Sequence, residues 1–132
     1  MKMDIWSTEN TAIEFDGTTI SNTATLTNNF DGTIQSDSTV IDEAAIVIKD
    51  TTGTVNINNN GTITGPNGLL VDNANVTFTN RGTVTGSLYD VNNAGTLTIN
   101  NNQGALTSDP LTLTGKLPTY NMLIVNTEDY GQ

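Results

Sequence analysis

The chain has 132 residues and a formal net charge of −10, from 14 acidic and 4 basic side chains, with no Cys and no His. Disulfides, thiol chemistry, Cys or His zinc sites, haem ligation through His and an imidazole base are therefore excluded; with no basic stripe to neutralise phosphate, neither nucleic acid nor an anionic membrane surface is an expected partner. The length is one domain's worth, and Thr and Asn dominate with 25 and 19 copies, residues that suit strands through β-branching and turns through bonding to their own backbone.

Residues 1–10 are expected to form an irregular lead-in or cap, with Trp6 over the open first coil. No apolar run or small-residue cleavage site follows Met1-Lys2-Met3-Asp4-Ile5-Trp6, so the opening is not a secretory signal. The chain then reads either as a piece of a longer exported protein or as an intact protein that reaches its place by co-assembly. No apolar run approaches membrane-spanning length, and membrane insertion is not expected.

From Thr11 to Asp31 a degenerate row can be drawn, with Ile13 and Phe15 in two apolar columns and Ile20, Leu26 and Phe30 at later inward positions. The next row, 32–52, opens on Gly32-Thr33-Ile34, but Ser36 stands where an apolar residue is needed, and the apolar weight falls in Val40-Ile41 and Ile46-Val47-Ile48. A second alignment sets Ile41-Asp42, Ala44, Ile46 and Ile48 against Val71-Asp72, Ala74, Val76 and Phe78. The two exclude each other, and the coil boundary near 36–50 stays open between them.

Three regular rows follow, beginning at Gly53, Ala74 and Gly95, 21 residues apart. Val55, Val76 and Leu97 form one apolar column; Ile57, Phe78 and Ile99 form the next; Asn59, Asn80 and Asn101 form a polar one. A second landmark, Gly61-Thr62-Ile63-Thr64-Gly65, recurs as Gly82-Thr83-Val84-Thr85-Gly86 and, one residue late through Gln103, as Gly104-Ala105-Leu106-Thr107-Ser108. Ile63, Val84 and Leu106 make a third apolar column. Apolar residues alternating with Thr and Asn give short half-buried strands, and similarity at a period in the twenties signals a repeat architecture. A β-sandwich or meander uses similar strands, but its strands pair with different partners and nothing forces the same residue types to recur. The expected fold is therefore all-β: a parallel β-solenoid of about five coils, roughly 21 residues each, over 11–115.

After Gly115 the pattern changes to Lys116-Leu117-Pro118-Thr119-Tyr120-Asn121-Met122-Leu123-Ile124-Val125-Asn126, the longest apolar strand of the chain and out of the 21-residue phase. Residues 116–132 are expected to form a C-terminal capping strand and tail.

Within this frame the repeated polar residues read as structural. Asn59, Asn80 and Asn101 are expected either to bond side chain to side chain up the column or to sit as exposed loop residues. Gly61, Gly82 and Gly104 fit corners with little room for a side chain. The acids Asp31, Asp37, Asp42, Glu43, Asp50, Asp72, Asp90 and Asp109 are scattered through turns, whereas a glycan-cleaving site needs two carboxylates at a defined separation across a groove. No catalytic residue, metal ligand set or cofactor is expected, with weak calcium binding by clustered Asp as the alternative.

The Gly-Thr-Ile-Thr-Gly and Gly-Thr-Val-Thr-Gly landmarks, with Val55-Asn56-Ile57-Asn58-Asn59-Asn60 and its counterparts before them, resemble the passenger repeats of bacterial autotransporter and haemagglutinin-like adhesins. The ending Tyr120 to Asn126, followed by Tyr130-Gly131-Gln132, resembles the segment after the last repeats in some such passengers. Similar coils occur in phage fibre and virion proteins. The resemblance implies a non-catalytic structural or adhesive segment of a surface protein, extracellular or at the cell surface; the alternative is a virion component such as a capsid decoration or tail protein, and a glycan-active enzyme is the remotest reading. Expected partners are other protein chains, in a homo-oligomer or larger assembly, with a glycan or surface ligand as the non-protein partner.

Overall fold

A computed structural model describes residues 4–17, 22–91, 94–103, 110–116 and 118–122. The chain winds through successive coils. The first carries β1 (Asp4–Ser7) and β2 (Ile13–Asp16), and the second β3 (Thr23–Asn28), β4 (Thr33–Ser36) and β5 (Ile46–Lys49). The third carries β6 (Thr54–Asn59) and the long β7 (Thr62–Asp72), and the fourth β8 (Asn75–Asn80) and β9 (Thr83–Asp90). The fifth holds β10 (Leu97–Asn101) and β11 (Leu113–Gly115), and β12 (Thr119–Met122) opens the next turn.

Every ladder joining these strands is parallel, and each pairs a strand with its counterpart one coil away. Two sheets result. One runs β12-β10-β8-β6-β3; the other runs β1-β4-β7-β5-β2, with β9 and β11 continuing from β7. The fold is a parallel β-solenoid of several coils, in which a strand with one apolar edge is covered by the sheet across the coil and satisfied by the coils above and below.

The 21-residue step holds from Thr54 to Asn75 and from Thr98 to Thr119. It fails earlier: Thr23 pairs with Thr54, a step of 31 residues. The extra length lies between β4 and β5, which pair with the two ends of the single strand β7. The intervening segment is pinned outside the coil. Asn67 Nδ2 donates to Ile41 O at 2.7 Å, Ala45 N donates to Asn67 O at 2.9 Å, and Ser36 Oγ lies 2.7 Å from Asn10 O. Its Ala44 packs with Val47 and Leu70 in a small cluster flanked by Tyr89, separate from the main core. The β7–β9 register shifts between Thr64 and Leu69, around Pro66, which has no N–H to give to a ladder.

Several expectations are corrected by these registers. Ile34 pairs with Ile63, so Gly32-Thr33-Ile34 corresponds to the second landmark and not to Gly53-Thr54-Val55. Ile46 and Ile48 pair with Leu69 and Val71, which removes the second alignment as well. Ile13 and Phe15 join this same column through Ile46 and Ile48; the residues beside Val55 and Ile57 are Ala24 and Leu26. Phe30, placed inward from sequence, is 88% exposed in the turn after β3; Ile20 lies outside the described residues. The lead-in expected to be irregular contains β1, where Ile5 takes the position beside buried Ile34 and alternation sends Trp6 outward, so Trp6 does not cover the coil. Tyr120 pairs with Ile99, which puts β12 in the 21-residue phase, not out of it.

The core is the column between the sheets. Val55, Val76 and Leu97 are consecutive partners, as are Ile57, Phe78 and Ile99, and all six are buried. Ile34, Ile63 and Val84 line the facing wall, with Ile48, Val71 and Leu88 beyond them. Each such side chain contributes roughly 1.5–3 kcal/mol in gross burial, so the interior is held by aliphatic stacking with Phe78 as its one fully buried ring. The corner after β2, β5 and β7 repeats one backbone conformation: Gly17, Asp50 and Asn73 all have positive φ, at 102°, 54° and 52°. Glycine, Asp and Asn are the residues that tolerate that region.

Candidate functional site

The repeated asparagines stand at the inner end of β3, β6, β8 and β10, where alternation points them into the coil. Asn28, Asn59, Asn80 and Asn101 are all buried. Asn28 Nδ2 donates to Asn59 Oδ1 at 2.9 Å, Asn59 Nδ2 to Asn80 Oδ1 at 2.8 Å, and Asn80 Nδ2 to Asn101 Oδ1 at 3.3 Å. The second amide hydrogen goes to corner backbone: Asn59 to Thr83 O at 3.3 Å and Asn80 to Gly82 O at 3.2 Å. Asn101 Nδ2 donates to Gln103 Oε1 at 3.1 Å and Tyr120 OH at 2.9 Å, and Gln103 Nε2 donates to Gly82 O at 2.8 Å. Buried amides are costly unless bonded, and here each is bonded on both sides.

Gly61 and Gly82 lie at the corner beside this column. A Cβ on Gly82 would run into the carbonyl oxygen of Gly61, and one on Gly61 into that of Gly32, so the close coil-to-coil approach depends on their lacking side chains. Ile63 and Val84 are partners across β7 and β9. Gly104 and Leu106 lie outside the described residues. Asn28, Gln103 and Tyr120 complete the polar column and were not singled out from sequence. Asn28 carried a signal, since Gly32-Thr33-Ile34 follows it as Gly61-Thr62-Ile63 follows Asn59, but with three intervening residues instead of one.

The acids do not converge. Among the described residues no group of three or more His, Cys, Asp or Glu could hold a metal ion. Asp42 and Glu43 lie in the segment looped out before β5, and Asp50 accepts from Asn73 Nδ2 at 3.0 Å across neighbouring corners. Lys49 Nζ lies 3.2 Å from Glu14 Oε1 and 3.7 Å from Asp16 Oδ2; the hydrogen bond to Glu14, then the charges of Glu14 and Asp16, hold its pKa above the usual lysine value. A recess on the outer side is lined by Ile41, Pro66, Asn67, Ser87, Tyr89 and Gly115, with no ionisable group besides Tyr89. These features fit a structural repeat domain.

No family model, curated protein or solved structure matches this chain.

One surface has a composition of its own. On the sheet β3-β6-β8-β10-β12, every side chain that alternation sends outward is Thr or Asn. Its middle column reads Thr25, Asn56, Thr77, Thr98, Thr119, in continuous register. None of the 14 acidic and 4 basic side chains belongs to any of these five strands. Phe78 and Tyr120 point into the coil.

Proposed function

We propose that the chain is a non-catalytic structural or adhesive β-solenoid segment of a bacterial surface protein, displayed outside the cell as part of a longer exported protein and assembled with other protein chains. What supports this reading most is the continuous in-register column from Asn28 to Asn101: the positions repeated from coil to coil join one coil to the next, and no reactive group repeats among them. The likeness of Gly61 to Gly65 and Gly82 to Gly86 to adhesin passenger repeats gives the surface assignment its direction.

The test is location. Antibody raised against the purified chain is expected to label the surface of intact, unpermeabilised cells by immunogold microscopy. Label confined to purified phage particles would replace the reading with a virion component, and turnover of a polysaccharide by the purified chain would overturn it in favour of an enzyme.

A further inference from the structure

We infer that the outer face of the sheet β3-β6-β8-β10-β12 binds ice. The inference begins with what the face lacks. In a chain of net charge −10, these five strands carry no charge, so the face has nothing to offer an ionic partner. It has no outward aromatic ring on which a sugar or base could stack. It presents none of the large apolar or Arg side chains that form the centre of a protein interface, and pairing two copies through it would bury rows of hydroxyls and amides at a desolvation cost while bringing two strongly acidic bodies together.

What the face does have is order in two directions. Neighbouring strands repeat at about 4.8 Å, and outward residues along one strand at roughly 6.7 Å. No register shift interrupts the five strands, in contrast to the break between β7 and β9. The result is a grid of uncharged donors and acceptors at fixed pitch, comparable to the spacing of oxygen atoms on the prism faces of hexagonal ice. Thr suits such a grid because β-branching restricts χ1, so little rotamer freedom is lost when its hydroxyl and methyl meet an ordered layer. The asparagines are also held in rank: Asn121 Nδ2 donates to Asn100 Oδ1 at 2.8 Å on the outer side. A charged side chain would orient a hydration shell of its own instead, and here none does.

The inference goes beyond the surface-protein reading and does not depend on it. Thermal hysteresis of the full chain, with the habit of ice crystals grown in its presence, provides the test. The wild-type chain is expected to hold a seed crystal below its melting point and to facet it. Thr77→Lys, at the centre of the face, is expected to lose most of that hysteresis with an unchanged circular dichroism spectrum. Thr85→Lys, the same charge change at an exposed position on the other sheet, is expected to keep it. Should Thr77→Lys melt early, Thr25→Lys on the edge strand, where the side chain is exposed, gives the same comparison. Absence of hysteresis and faceting in the wild type, or full activity in the folded Thr77→Lys or Thr25→Lys chain, overturns the inference; so does adsorption to insoluble neutral polysaccharide without enrichment in slowly grown ice.

Discussion

Asn80 is the middle rung of the buried amide column, accepting from Asn59 and donating to Asn101 and to the Gly82 carbonyl. Asn80→Leu keeps the volume but removes all three bonds. It strands Asn59 Nδ2, which retains only the long contact to Thr83 O, and takes one partner from Asn101 Oδ1. An unmet buried amide costs about 1–3 kcal/mol, so this variant is expected to lose several times more stability than Asn58→Ala on the outer face. Chemical denaturation of the two variants, compared by midpoint at constant slope, measures the difference. A result in which both variants unfold alike would mean that the column carries no more weight than a surface amide.

At the level of elements, β2 is held to β5 by its ladder and by the Lys49 contacts to Glu14 and Asp16. Lys49 is two-fifths exposed, and such pairs are weak and salt-sensitive. Because its folded pKa is raised, the contribution is complete below the ordinary lysine range and disappears as pH rises through the raised value. Lys49→Met is therefore expected to melt slightly below wild type at neutral pH and low salt. The gap should close in strong salt or strong alkali, and a gap that persists in both would assign the effect to packing.

The elements also differ in how plainly the sequence announced them. From Gly53 to Asn101 the step is constant, so Val55, Val76 and Leu97 align by inspection and the strands follow. Before Gly53 the step changes to 31 residues because 37–45 is looped out; Ile34 then resembles the start of a row when it belongs to the middle of one, and Asn28 drops out of the polar column. At the other end, Pro118 stands one period after Leu97 and breaks the apolar pattern, which hid the pairing of Tyr120 with Ile99. The uncharged face was legible all along in the alternate residues of each row, but alternation was read only for its inward half.

For the whole molecule, coil-on-coil construction makes stability a sum of neighbouring contacts. Excising Asn75 through Gly95 removes one 21-residue period and brings β10 beside β6, with Leu97 meeting Val55, Ile99 meeting Ile57 and Asn101 meeting Asn59. That shortened chain is expected to fold with a β-type circular dichroism spectrum and a cooperative, lower melting transition. Excising Asn75 through Ala94, one residue fewer, leaves the junction with an unmatched residue and is expected to broaden the transition or abolish it. Equal behaviour of the two deletions would show that the register between coils is not what holds the stack.

The amide column also gives the molecule an arrow. Asn28, Asn59 and Asn80 each send their donor to the coil that follows and receive at their oxygen from the coil before where one is present. The side-chain dipoles therefore align head to tail along the winding axis, and each bond polarises the next. Reversing a single amide would set two oxygens against each other on one side and two hydrogen-bearing nitrogens on the other, so the column tolerates no isolated flip. A solenoid wired in this way has distinguishable ends, one offering an acceptor and the other a donor, whatever the similarity of its coils.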